Sequence, residues 1–189
     1  MKKQKNKVLN LKVKIISGVW RRRNINFLSK KNLRPTKSII RETLFNWLGN
    51  DLSDLTCLDL FAGSGILGFE SASRGAENVY LVDIDSDVTR CLEEQKNILR
   101  AKNIFIEHSS SVDFISKFTG KVDLLFLDPP FSDDIINTTI NNSDLSQILN
   151  NNCKIYIEIP FVKNYIDIID SPKSWELIKH GKSGDVAYL

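Results

Sequence analysis

Asp128-Pro129-Pro130-Phe131 follows the apolar run Val122-Asp123-Leu124-Leu125-Phe126-Leu127 and assembles four groups that suit a planar amine. The lone pair of an exocyclic base amine is delocalised into its ring, so the nitrogen attacks only if it is drawn towards tetrahedral geometry. The Asp128 carboxylate can accept one N–H and the Pro129 carbonyl the other, which aims the lone pair at an electrophile. Phe131 can stack on the face of the base. Pro129 and Pro130 stiffen the turn, and Pro129 confines Asp128 to an extended conformation at a strand end. Methylation of an amino group on a base is the chemistry that fits. The plainer alternative is a strand that runs into a proline turn, with an aspartate that only solvates the loop.

A second candidate segment is Asp59-Leu60-Phe61-Ala62-Gly63-Ser64-Gly65-Ile66-Leu67-Gly68. Gly63 and Gly65 let backbone approach a ligand closely, and the start of the following helix offers unpaired N–H groups to an anion such as a carboxylate. Gly63 to Gly68 also satisfies GxGxxG, the fingerprint of dinucleotide-binding oxidoreductases. In that fingerprint the first glycine directly follows the strand, whereas here Phe61 and Ala62 intervene and Asp59 ends the strand. A carboxylate there repels a pyrophosphate and suits the ammonium or hydroxyls of S-adenosylmethionine. Asp83, after Val79-Tyr80-Leu81-Val82 and before Ile84, can accept from both hydroxyls of a ribose in either family.

Strands and helices alternate around these segments. The patterning predicts helix 39–48 with Pro35 near its start and Gly49 at its end, strand 56–60, helix 66–73, strand 79–82, and helix 87–101 capped by Asp85 or Ser86. Strand 104–107, helix 112–118, strand 123–127, a loop and helix within 132–149, and strand 154–159 follow. Trp175–Lys179 and Asp185–Leu189, with Gly181 and Gly184 between them, predict a closing hairpin. Repeated β-α units imply a mostly parallel sheet covered by helices on both faces, which places both candidate segments at the carboxyl ends of strands, where such sheets bind ligands.

The chain of 189 residues is long enough for one domain with a substantial core and a short extension. Its net charge of +3 hides an asymmetry: residues 1–48 carry fourteen Lys or Arg and one acid, Glu42, leaving the remaining 141 residues at −10. Trp20 followed by Arg21, Arg22 and Arg23, then Arg34, Lys37 and Arg41, is the pattern of a phosphate-backbone partner. The alternation in Val13–Trp20 predicts a strand or hairpin that presents those charges, whereas residues 1–7 read as a solvated lysine-rich tail. No run approaches the ~20 apolar residues of a membrane span, no signal-peptide stretch precedes the fold, and a cytoplasmic location is expected. Cys57, Cys91 and Cys153, an odd and widely spaced set, fit free thiols better than disulfides or a metal site. His108 and His180 lack neighbours at ligand spacing, and no metal is expected.

Taken together, Ile15–Arg21, Arg34-Pro35-Thr36, Arg41-Glu42-Thr43-Leu44-Phe45-Asn46-Trp47-Leu48, Leu58–Gly65 and Asp128–Phe131 resemble the RsmD-type methyltransferases, which act on a guanine N2 in 16S ribosomal RNA. The glycine loop and the Asp-Pro-Pro-Phe turn are shared by many amine methyltransferases; the Arg-Pro-Thr and Arg-Glu-Thr-Leu-Phe-Asn stretch is more selective. The resemblance spans Val13 to Leu189. It implies a three-layer, Rossmann-like α/β fold with a mostly parallel seven-stranded sheet, a C-terminal antiparallel hairpin, a basic RNA-contacting extension over 1–50 and an S-adenosylmethionine-dependent methyltransferase domain over 51–189. It further implies a monomer that acts on the small ribosomal subunit or its assembly intermediate, at guanine 966 of that RNA. Carried over by position, Asp59, Phe61, Ala62, Gly63, Ser64 and Gly65 would line the methionine end of the cofactor. Asp83 and Ile84 would hold its ribose. Ser110 and Ser111 would meet the adenine, Ser110 standing where similar enzymes have an aspartate. Asp128, Pro129, Pro130 and Phe131 would hold the target base, and Trp20, Arg21, Arg22, Arg23, Arg34, Lys37 and Arg41 would contact RNA. A DNA adenine-N6 methyltransferase uses the same turn chemistry, a protein-glutamine methyltransferase typically has Asn at position 128, and an RNA-binding assembly factor without catalysis needs only the basic arm.

Overall fold

The computed structural model describes residues 10–30, 34–130, 135–142 and 144–189, so the lysine-rich stretch 1–7 lies outside the described residues. Its first element is an antiparallel hairpin, β1 (Asn10–Lys14) and β2 (Asn24–Leu28), with Val13 paired to Ile25 and Leu11 to Phe27. Of the strand or hairpin expected over Val13–Trp20, the structure has a hairpin, with its first strand ending at Lys14. Residues 15–23 form the connection, because Gly18 and Arg22 both adopt positive φ (79° and 68°) and Ile15 exchanges backbone hydrogen bonds with Arg22 and Arg23. Helix α1 (Ser38–Leu48) follows and stops at Gly49, φ 95°. Its Ile40, Leu44 and Phe45 are fully buried. At roughly 1.5–3 kcal/mol each, these three side chains hold the basic segment firmly on the sheet.

The alternating units then unroll as β3 (Thr56–Asp59), α2 (Ile66–Ser73), β4 (Asn78–Asp83), α3 (Ser86–Leu99), β5 (Ile104–His108), α4 (Ser111–Lys117) and β6 (Val122–Leu127). Asp85 caps α3, its side chain accepting from the Asp87 and Val88 amides. Two short helices, α5 (Ile135–Ile140) and α6 (Leu145–Ile148), lead into β7 (Leu149–Pro160), which starts five residues earlier than its pattern predicts. The closing hairpin is β8 (Gly181–Ser183) with β9 (Val186–Tyr188), joined by Gly184 and Asp185. Trp175–Lys179 is thus not a strand. Gly184 takes φ 63° and sets a two-residue turn, which fixes the pairing at Ser183↔Val186 and leaves the apolar residues before Gly181 outside the sheet.

The seven strands lie in the order β5-β4-β3-β6-β7-β9-β8, with β5, β4, β3, β6 and β7 parallel and the last two antiparallel. Side-chain alternation divides the core in two. Cys57, Leu81, Leu124, Phe126 and Tyr156 pack with α1, α2 and α3 on one face; Leu58, Val82, Leu125, Leu127 and Ile157 pack with Phe114, Ile140 and Leu145 on the other. Among the described residues no helix is long and apolar enough to cross a membrane, and all three cysteines are free thiols.

Candidate active site

Register decides which side chains meet. Asp59 pairs with Phe126 across β3 and β6, and Phe126 with Tyr156 across β6 and β7. One step of two residues along the same face brings Asp128 and Glu158 side by side at the carboxyl edge. Asp59 and Glu158 are 2% and 3% exposed, and Asp128 keeps part of its surface open. Among the described residues none of the three forms an ion pair. Burial pushes the Asp59 carboxyl up to about 7, with the charges of Asp83 and Glu158 adding to it and the Phe61 amide (3.2 Å) opposing it. Burial, then the neighbouring Glu158 and Asp59, raise Asp128 well above the usual carboxylate range. Burial raises Glu158 as well, against the hydrogen bond from Tyr156 (3.0 Å). Three acids gathered with no ion pair among the described residues, and only the more distant charge of Lys37 acting on Glu158, suit a cationic ligand.

The glycine turn lies beside them. Gly65 precedes α2 in the left-handed conformation (φ 73°), and a Cβ on it would stand 2.5 Å from Leu92 and 2.8 Å from Phe69, so no other residue fits without displacing that packing. The Gly63 amide donates to Asp83 Oδ2 and the Asp85 amide to Oδ1, both at 2.9 Å, which locks Asp83 beside the turn. Burial raises Asp83, opposed by those two amides. Ala62 and Ser64 are buried, Phe61 is half-buried and Ile84 is exposed. The Ser109 amide donates to the Asp83 carbonyl, which brings Ser110 and Ser111 alongside. Ser110 caps α4: its hydroxyl accepts from the Asp113 amide (3.1 Å) and donates to Asp113 Oδ2 (2.6 Å). These groups fit S-adenosylmethionine: Asp59 and the glycine turn for its cationic methionine end, Asp83 for the ribose, and the Ser110–Asp113 pair for the adenine amine.

Pro129 is buried and Pro130 exposed at the same edge, and Phe131 lies outside the described residues. Sequence reasoning passed over Thr36, Tyr156 and Glu158 as site residues. Thr36 Oγ1 donates to Asp128 Oδ2 at 3.4 Å, so the Arg34-Pro35-Thr36 segment reaches the catalytic edge. An acid at the end of the otherwise apolar Ile155-Tyr156-Ile157 strand was the available signal for Glu158.

The basic residues do not form one group. Arg41 is 2% exposed; its guanidinium donates to the Thr36 and Lys14 carbonyls and to Glu70, so it braces the interior and is no RNA contact. Trp20 packs partly on the core, its amide bonded to Ser73 Oγ. Arg21, Arg22 and Arg23 are exposed but sit by Ser73, where α2 ends, because the Val19 amide caps the Ser73 carbonyl at 2.8 Å. That is the end of α2 remote from Asp59. Arg34 and Lys37 flank Thr36 in the chain and are exposed, Lys37 donating to the Ser183 carbonyl. A cavity of about 200 Å³ lined by Leu48, Leu52, Asp123 and Asn150 lies at the amino end of β6 and holds none of these groups.

The strand order, the glycine turn after β3 and an aspartate closing β4 define a Rossmann-like S-adenosylmethionine-dependent methyltransferase. The profile of the family described as Conserved hypothetical protein 95 matches residues 13–189, and the chain belongs to that family, the RsmD-type methyltransferases. It is 36% identical over 176 residues to the ribosomal RNA small subunit methyltransferase D of Escherichia coli, covering 93% of this chain and 87% of that protein. The Haemophilus influenzae protein of the same description is 37% identical over 180 residues, covering 93% and 91%. A solved structure described as a putative methyltransferase from Escherichia coli superposes with a TM-score of 0.80 at 34% identity, covering 94% of this chain and 96% of the other.

Proposed function

We propose that this chain transfers the methyl group of S-adenosylmethionine to the N2 amine of a guanine in 16S ribosomal RNA, with guanine 966 the position that the resemblance implies. The observation that carries the chemistry is the row of Asp59, Asp128 and Glu158 on one face, Asp59 and Glu158 buried and Asp128 partly open, with no ion pair to any of them among the described residues, beside a glycine turn. The substrate rests on the relatives, which are described as methyltransferases of small-subunit ribosomal RNA.

Bound S-adenosylmethionine supplies an electrophilic methyl group. Asp128 and the Pro129 carbonyl take the two amine protons as hydrogen bonds and turn the nitrogen lone pair towards it. Phe131, outside the described residues, would stack on the guanine, Asp83 would hold the ribose and Asp59 the ammonium. Asp128 receives the proton that the nitrogen releases. Because the base must leave any stack to reach this edge, an unpaired or flipped guanine is the substrate. Arg34 and Lys37 guide the phosphate backbone beside the site, and the exposed Arg21–Arg23 loop extends the contact to a more distant part of the RNA. The protein acts as a monomer on the assembled small subunit.

The test is transfer of labelled methyl to small subunits lacking the modification, to their naked RNA and to DNA, followed by nucleoside analysis. N2-methylguanosine from the ribosomal samples alone is expected. N6-methyladenine in DNA would keep the mechanism and replace the substrate.

A further inference from the structure

We propose that Ser73 and Glu70 are positioning residues for substrate choice: they hold the loop that carries Arg21, Arg22 and Arg23 rigid at a fixed distance from the methyl-transfer edge, so that RNA docks only where a phosphate backbone and an accessible guanine share that spacing. The inference rests on the methyltransferase reading and deepens it.

Both residues lie on the last turn of α2, a helix whose eight residues are all buried. The Ser73 hydroxyl donates to the Ser17 carbonyl at 2.6 Å and accepts from the Trp20 amide at 2.9 Å, while the Ser73 carbonyl accepts from the Val19 amide at 2.8 Å. The two Glu70 oxygens accept from the Ile16 and Ser17 amides at 2.8 and 2.9 Å. Gly18 leaves no slack between them: a Cβ there would stand 1.8 Å from the Ser73 carbonyl oxygen, and its φ of 79° is one that glycine adopts freely. Beyond this clamp the Arg22 amide donates to the Ile15 carbonyl and the Arg23 amide to the Trp20 carbonyl, both at 2.9 Å, which closes the loop on itself. Arg22 takes φ 68°, a strained conformation that persists only where its surroundings over-determine it. The three arginine side chains are exposed and in no ion pair among the described residues. The backbone is therefore fixed while the charges stay free.

The other end of α2 is the glycine turn. Gly65 precedes Ile66, so one helix of about 12 Å, at 1.5 Å per residue, separates the anchor of the loop from the turn beside Asp59. A helix packed on all sides transmits that distance without give. A loop ordered in advance pays no ordering cost when it meets phosphate, whereas a loose one does. A loose loop would also accept RNA at other spacings.

The experiment uses wild type, Ser73→Ala, a variant with Arg21, Arg22 and Arg23 all replaced by Ala, and the combination. It measures affinity for unmodified small subunits, single-turnover methyl transfer, and the distribution of methyl among the guanines of the naked RNA. Ser73→Ala is expected to weaken binding by about 5- to 30-fold, with the rate at saturating substrate and the affinity for S-adenosylmethionine within about twofold of wild type. Methyl should spread onto guanines that the wild type passes over. Once the arginines are gone, Ser73→Ala should change affinity by less than about twofold, because the loop has nothing left to place. Equal losses in both backgrounds, or an unchanged distribution of methyl, would show that Ser73 only stabilises the fold. Should Ser73→Ala not fold, Ser73→Cys, which keeps the volume of the side chain and donates only weakly, takes its place in the same cycle. If the wild type methylates none of the substrates, the functional reading has failed and the affinity cycle alone decides. A loss confined to the background that keeps the arginines then supports the clamp, and an effect alike in both backgrounds overturns it.

Discussion

Arg41 on α1 and Glu70 on α2 form an ion pair inside the protein, 3.4 Å apart and 2% and 0% exposed. Glu70 also receives Arg74 at 3.0 Å and the backbone amides of Ile16 and Ser17 at 2.8 and 2.9 Å, so one carboxylate ties the hairpin connection, α1 and α2 together. Removal of one partner strands a buried charge. Glu70→Gln is expected to cost about 3–5 kcal/mol in urea unfolding, and Arg41→Met a similar amount, whereas the double substitution should cost less than the sum. Additive losses would mean that the two residues act independently.

Asp128→Ala is expected to reduce methyl transfer by at least about a hundredfold while cofactor affinity stays near wild type, because in the proposed arrangement Asp128 would accept from the amine and Asp59 and Asp83 would hold the cofactor. Titration calorimetry alongside the transfer assay separates the two. Turnover at the wild-type rate in a folded Asp128→Ala protein would remove Asp128 from the mechanism.

The alternation of strands and helices, the turns that follow β3 and β6 and a cap at Asp85 or Ser86 were legible in the sequence because each is written in local signals: apolar runs, glycines or prolines at a strand end, a capping side chain. What was not legible depends on pairing between distant segments. Glu158 and Thr36 acquire meaning only once β6 and β7 are in register and the segment before α1 folds over their ends. Arg41 looked like its exposed neighbours because sequence does not show that Glu70, 29 residues away, waits for it. The same holds for the closing hairpin, where the Gly184 turn outweighed the apolar pattern of Trp175–Lys179.

The separation of Arg21–Arg23 from the catalytic edge predicts a division between grip and catalysis. Reversal of all three to Glu is expected to weaken RNA binding and to flatten the dependence of log K on log salt by about two to three, one for each phosphate that the loop no longer neutralises. The rate at saturating RNA should stay near wild type. Arg34→Glu, beside Thr36, is expected to affect both binding and rate. An unchanged salt slope in the triple variant would show that the loop touches no phosphate.

Asp59 makes cofactor binding depend on pH. In the ligand-free protein burial raises its carboxyl to about 7, above the ~3.9 of an unfolded chain. A raised carboxyl binds more protons in the folded than in the unfolded state between these values, so its contribution to stability is full below about 4 and is lost as pH rises through about 7, on the order of 4 kcal/mol. A ligand ammonium reverses the preference, because it favours the ionised form. Affinity for S-adenosylmethionine should therefore weaken by up to about tenfold for each unit below pH 7, and binding near pH 6 should release a proton, visible as a heat that varies with the ionisation enthalpy of the buffer. Above about pH 8 both effects should fade. Asp59→Asn should flatten the pH dependence while weakening binding at pH 8, and an affinity independent of pH in the wild type would place the ammonium away from Asp59.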